Sequence, residues 1–247
     1  MLGLALAGYL GVCGVLYAFQ RSLLYLPQPR AVTSPQSTLH LPVDGADLVV
    51  TVRPHAGPKA IIYFGGNGED VSQSLAAFGD WFPDHALYLL HYRGYGGSTG
   101  EPTERGNHAD ASALFDRVRA EHPDVAIIGR SLGTGVAVRL ASERPASRLV
   151  LVTPYDSIEA IARTAYPYLP ISWLLVDKYE SWRYAPMIQV PTTIIVAERD
   201  EVIPRASTER LVGRFARGVA SVTVIPGAGH NDLVLTPRYR TALQAGL

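Results

Sequence analysis

Cysteine is almost missing from this sequence. Cys13 is the only one among 247 residues, so no internal disulfide can form, and a single thiol leaves both oxidising and reducing compartments open. An excess of either charge is missing too. Lys+Arg and Asp+Glu stand at 22 each, which removes the broad basic field that nucleic-acid binding needs, so nucleic acid is not an expected partner. Internal repeats and low-complexity tracts are also lacking. The length suits one sizeable domain with a core of its own.

Charge is wholly absent from the first twenty residues, MLGLALAGYLGVCGVLYAFQ. An uncharged apolar run of about 20 residues is what a helix needs to cross the hydrocarbon core of a bilayer. A membrane anchor over 1–20 is therefore expected. A cleaved signal peptide fits less well, since no basic segment precedes the run and no small-residue cleavage site follows it before Arg21. Val12 before Cys13 argues against a lipoprotein site. Arg21 and Arg30 follow the run and nothing basic precedes it, so the distribution of positive charge favours a cytoplasmic domain. Pro27, Pro29 and Pro35 interrupt 21–37, which is read as a juxtamembrane stalk ahead of a domain over 38–247.

Within 38–247 the pattern alternates between strand and helix. Leu39 to Pro42 and Leu48 to Arg53 flank Asp44-Gly45, a tight-turn dipeptide, and predict an antiparallel hairpin. Apolar runs then recur at Ala60 to Phe64, Ala86 to Tyr92, Val125 to Ile128, Leu149 to Thr153, Thr192 to Val196 and Val222 to Ile225, as strands covered on both faces do. Helical spacing lies between them at Ala109 to Glu121, Leu132 to Glu143, Arg205 to Ala216 and Thr236 to Ala245. That rhythm predicts an α/β fold with a mostly parallel sheet. Tyr155 to Ile188 breaks it and is read as a small cap over about 155–188.

Two segments match the G-x-S-x-G pattern of a nucleophile elbow. Gly129-Arg130-Ser131-Leu132-Gly133 follows a strand and opens a helix, whereas Gly96-Gly97-Ser98-Thr99-Gly100 lies in a glycine-rich loop. Only Ser131 has the strand-turn-helix setting. A serine hydroxyl needs a base to take its proton, and the base needs a carboxylate to hold it. Asp200 and His230 follow the last two strands at their carboxyl ends, where catalytic groups collect in open α/β sheets. The order serine, acid, histidine completes a candidate triad of Ser131, Asp200 and His230. For an oxyanion hole, Leu132 offers the backbone N–H after the nucleophile, and Asn67 in Gly65-Gly66-Asn67-Gly68 offers the second.

Four blocks carry a resemblance that runs nearly end to end: Phe19 to Tyr25, Tyr92 to Ser98 before Glu101-Pro102, Gly129 to Gly135, and Gly227 to Asn231. Together they are similar to the membrane-anchored α/β hydrolases of the bud-emergence type and the related "abhydrolase domain-containing" enzymes, which include protein depalmitoylases. The resemblance implies the α/β-hydrolase fold and matches Ser131, Asp200 and His230 to the family's triad, with Asn67 and Leu132 at its oxyanion loop and elbow. Several positions depart from the pattern. Gly65 stands where relatives usually have His, Val196-Ala197 replaces His-Gly, and Asp156 stands where relatives have Thr or Ser, which offers a second possible acid.

The expected activity is hydrolysis of an ester or thioester through an acyl-enzyme, with no metal or organic cofactor. A peptidase on the same triad and a non-catalytic membrane-anchored interaction protein are the alternatives. Dehalogenase or epoxide-hydrolase chemistry would place Asp where Ser131 stands. The expected partner is a small-molecule or acyl substrate, lipid-like or an acylated protein, met at the membrane. Trp173 and its apolar neighbours are expected to lie in the cap above the serine and to favour an acyl chain.

Overall fold

The computed structural model describes residues 1–247, the side chain of Leu2 excepted. Among the described residues, β1 (Thr38–Val43), β2 (Ala46–Arg53), β3 (Lys59–Phe64), β4 (Ala86–Leu90), β5 (Asp124–Arg130), β6 (Arg148–Val152), β7 (Thr192–Ala197) and β8 (Ala220–Ile225) form one sheet. Its order is β1-β2-β4-β3-β5-β6-β7-β8. The hairpin β1/β2 is antiparallel, as the Asp44-Gly45 turn predicts, with Gly45 at φ +71°. β2 pairs antiparallel with β4, and every later pair is parallel.

The continuous apolar strands are explained by two cores, one on each face, except at the edge strand β8, where Val222 and Val224 are exposed and the expected cover on both faces is missing. Ile62 and Phe64 point into one core with Leu114 and Phe115 of α3 (Glu104–Arg119) and Val136 and Leu140 of α4 (Leu132–Glu143), where α8 (Arg205–Val212) adds Leu211. Ile61 and Tyr63 point the other way, toward Phe78 of α2 (Leu75–Trp81) and Leu243 of α9 (Pro237–Gly246). Alternation of the pleat sends neighbours to opposite faces, so both sets must be apolar. Helix α4 starts and ends where its spacing predicts. Helix α2 has no counterpart among the predicted elements, being seven residues long and holding a glycine.

The cap holds α5 (Ile158–Ala165), α6 (Ile171–Leu174) and α7 (Ser181–Tyr184). The N-terminal helix, α1, spans Leu2–Leu24, so it continues past the expected anchor 1–20. It is long and apolar enough to cross a membrane.

The stretch after it, expected as a stalk, is fastened to the domain. Leu26 N–H donates to Asn67 Oδ1 at 3.1 Å and to the Tyr95 hydroxyl at 2.8 Å, Ala31 N–H donates to Asp70 Oδ2, and Val32 N–H to Ser72 Oγ. Tyr25 is buried and donates to Asp177 Oδ2 at 3.2 Å. Pro27 and Pro29 lie in extended chain that can still pair with loops, whereas Pro35 opens a short 3-10 turn over Pro35–Ser37.

Candidate active site

Ser131 sits between β5 and α4 with φ +48° and ψ −117°, in a region that few non-glycine residues adopt. The strain is imposed from both sides. Ser131 N–H donates to Val152 O at 2.9 Å, while its carbonyl accepts from Thr134 N at 2.9 Å and Thr134 Oγ1 at 2.7 Å. The flanking glycines have a steric reason. A Cβ on Gly129 would lie 2.6 Å from Gly133 O, and one on Gly133 would lie 2.1 Å from Phe64 O.

The turn aims the hydroxyl at the loops that follow β7 and β8. His230 Nε2 lies 2.9 Å from Ser131 Oγ, and His230 Nδ1 lies 3.0 Å from both Asp200 oxygens. Asp200 is held in turn by the backbone N–H groups of Val202 and Ile203. The His230 side chain is 5% exposed, so bulk water does not compete for these bonds. With Nδ1–H donated to Asp200, Nε2 is left to accept the serine proton.

The competing residues lie elsewhere. Ser98 Oγ accepts from Val49 N–H and donates to His91 O, which fixes a loop whose Gly94, Gly96 and Gly97 all have positive φ. A Cβ on Gly96 would fall 2.0 Å from the His91 ring. That second G-x-S-x-G is therefore a packing device. Asp156 accepts from Ser157 N–H, Ser207 Oγ and Arg210 Nε and tethers the cap to α8, with no bond to His230.

Asn67 and Leu132 stand where the oxyanion reading needs them in sequence, and the backbone N–H of each donates to no other group among the described residues. The Gly66 N–H next door is occupied, donating to Glu69 Oε2 at 2.7 Å. Asn67 spends its side-chain oxygen on Leu26 N–H and Tyr95, which fixes the loop.

Sequence reasoning missed Glu69 and Arg130. Arg130 Nη1 pairs with Glu69 Oε2 at 2.9 Å, and its other nitrogen reaches His230 O at 3.4 Å. One ion pair thus links the glycine loop, the elbow and the histidine loop. Tyr63 adds a bond to Glu69 Oε1 at 2.6 Å. Burial first, then the Glu69 charge, pushes the Tyr63 phenol well above its usual range, so it remains a donor. Val71, with Glu69 beside it, accounts for Gly65. A Cβ there would lie 2.3 Å from Val71 Cγ1 and 3.2 Å from Glu69 Cδ, so the space a histidine would fill is taken. In the sequence, Arg130 stands inside the elbow and Glu69 directly after Gly68, but nothing local joins the two.

The cap does not present Trp173 to the serine. That side chain is 90% exposed, and Tyr168 is 89% exposed. The apolar residues of the cap instead form a cleft against α1, lined by Leu16, Leu23, Ile158, Ala162, Leu169 and Leu174 and about 240 Å³ in volume. The expectation that Trp173 lines an acyl site above Ser131 is corrected accordingly: composition marked the segment as apolar, and the direction came from its docking on α1.

Comparison with known proteins gives a consistent family. No family model matches the chain. An uncharacterized protein of Mycobacterium tuberculosis is 34% identical over 240 residues, covering 90% of this chain and 84% of that one. Protein bem46 of Schizosaccharomyces pombe is 24% identical, with 95% and 88% covered. The lysophosphatidylserine lipase ABHD12 of Macaca fascicularis is 36% identical over 62% of this chain and 44% of its own. Among solved structures, the Pyrococcus furiosus esterase Pf2001 superposes with a TM-score of 0.67 at 18% identity, covering 90% of this chain and 96% of that one. Est1E of Butyrivibrio proteoclasticus, bound to ferulic acid, gives 0.69 at 15% identity, with 84% and 98% covered. At those identities the structures establish the fold alone, and the sequence relatives carry the family. From the relatives and the fold together, the chain belongs to the α/β hydrolases of the bem46 and α/β-hydrolase domain-containing type.

Proposed function

We propose that the chain is a serine hydrolase, held at a membrane by α1, that cleaves an ester or thioester through an acyl-enzyme. The observation that supports this most is the unbroken run of contacts from Asp200 to His230 Nδ1 and from His230 Nε2 to Ser131 Oγ, at 3.0 and 2.9 Å. Ser131 Oγ attacks the carbonyl carbon as its proton passes to His230 Nε2. The carbonyl oxygen, now an anion, takes hydrogen bonds from Asn67 and Leu132 N–H. Collapse breaks the C–O or C–S bond, and His230 returns the proton to the leaving group. Water then attacks the Ser131 ester, giving its proton to His230, and the acid departs as Ser131 regains its hydrogen.

An esterase and a lipase among the proteins of this fold and family agree with the substrate class. A p-nitrophenyl ester mixed with the full chain should release a burst of p-nitrophenol and leave an acyl mass on the peptide that holds Ser131. Turnover without any acylated serine would remove the acyl-enzyme. No turnover on graded esters or thioesters would favour a non-catalytic interaction protein.

A further inference from the structure

The cap strip from Tyr166 to Val176, YPYLPISWLLV, carries no charged residue over eleven positions. It is also the part of the domain that lies against α1. The Tyr9 hydroxyl donates to Tyr168 O at 2.9 Å, Gln20 Nε2 donates to Leu174 O at 3.1 Å, and Val176 N–H donates to Gln20 Oε1 at 2.7 Å. Tyr9 and Gln20 are eleven residues apart, about 16 Å along a helix axis. That is roughly half the ~30 Å thickness of a hydrocarbon core.

The two uncharged runs end at the same level. Arg21 is the first charged side chain after the apolar run of α1 and Asp177 the first after the strip. The two pair at 3.1 Å. Asp177 also accepts from the backbone N–H of Glu104, at the start of α3, so the boundary is fixed to the domain. Ser172 bonds to Glu159, and Lys178 reaches Ser172 O, which marks that side of the strip as its shallow edge.

A segment in lipid must satisfy its own backbone. Here the N–H groups of Leu169, Ile171, Trp173, Leu174 and Leu175 all donate within the strip, Val176 donates to α1, Pro167 and Pro170 have none to satisfy, and those of Tyr168 and Ser172 alone are left without a protein acceptor. The side chains that point away from the protein are Tyr166, Tyr168, Trp173 and Val176, all exposed. Tryptophan is a residue that membrane interfaces favour, and Trp173 adjoins Leu174, which bonds Gln20 near the boundary.

We propose that residues 166–176 are a second membrane element, seated in the same leaflet as the C-terminal half of α1, with the Arg21–Asp177 pair at the water boundary. This rests on α1 being a membrane anchor. The partner is the lipid itself, and the cleft between strip and helix opens to acyl chains of that leaflet.

Trp173 supplies the test, since the chain has three tryptophans and this one is exposed. The full chain and Trp173→Phe are reconstituted in phosphatidylcholine vesicles with and without lipids brominated on the acyl chain, and the difference emission isolates Trp173. The expected result is a blue-shifted difference spectrum that brominated lipid quenches several-fold. Emission at the wavelength of a water-exposed indole, unchanged by brominated lipid, would overturn the proposal. Alkaline carbonate treatment of the same vesicles separates the two readings. A retained chain with unquenched Trp173 removes the strip and leaves the anchor, whereas an extracted chain removes both.

Discussion

The loops around Ser131 and the strip beside α1 both interrupt the alternation of strand and helix, yet they are held by opposite means. Around Ser131 nearly every position is fixed by backbone geometry: a strained φ at the serine, glycines that no Cβ could replace, and a buried histidine between two partners. The strip is fixed by three bonds to α1 and leaves its largest side chains uncovered. The first region is specified by steric exclusion and the second by the surface it lies against. Substitutions should therefore act on folding and turnover in the first, and on lipid contact in the second.

The largest difference is expected at the elbow. Gly133→Ala, whose Cβ would meet Phe64 O at 2.1 Å, should cost more than about 4 kcal/mol or prevent folding. Trp173→Ala should shift stability in detergent by no more than about 0.5 kcal/mol. Denaturant melts of the two variants read this directly. Equal losses would erase the contrast between the regions.

Next come the two aspartates. Asp200→Asn should lower kcat on a soluble ester by roughly three to four orders of magnitude, because the imidazole loses its tautomer and orientation. Asp156→Asn should stay within a few-fold in kcat and lose about 1–3 kcal/mol of stability from its bonds to Ser207 and Arg210. The opposite ranking would move the acid to Asp156.

Glu69 sharpens the comparison within the first region, since it touches the loops and not the reacting atoms. Glu69→Gln should reduce kcat about ten-fold while KM changes little, because the Asn67 loop loses its tie to Arg130. An unchanged kcat would show that the ion pair only stabilises the fold.

How legible each region was follows from the same contrast. The meeting of Ser131, Asp200 and His230 was legible because a sharp strand-to-helix turn demands glycines at fixed spacing and the strand order sets which loops meet. Ser98 was separable from Ser131 by its lack of a following helix, and its buried hydrogen bonds give the reason. Glu69 and Arg130 were not legible, because a salt bridge between residues 61 apart leaves no local pattern. The strip was legible only as composition. An aromatic, uncharged run reads alike whether it faces a core, a substrate or a bilayer, and only its docking on α1 gave it a direction.

A further test concerns pH. His91, buried beneath the Gly94–Gly97 loop and bonded to Thr51 Oγ1, is held down to about 4 by burial. In the unfolded chain it titrates near its ordinary value of about 6.5. Between those values the unfolded state binds a proton that the folded state does not, so stability should fall as pH drops from about 6.5 to about 4 and be insensitive to His91 above that window. The loss should approach about 3 kcal/mol. His91→Gln should flatten that part of the curve of melting temperature against pH, and an unaltered slope would assign it to other groups.

The account stands most directly on whether Ser131 is an activated nucleophile. A fluorophosphonate probe added to the full chain should form a covalent adduct mapped by mass spectrometry to Ser131, and Ser131→Ala should abolish it. Persistent labelling in that variant, an adduct on Ser98, or an unreactive wild-type chain would contradict it.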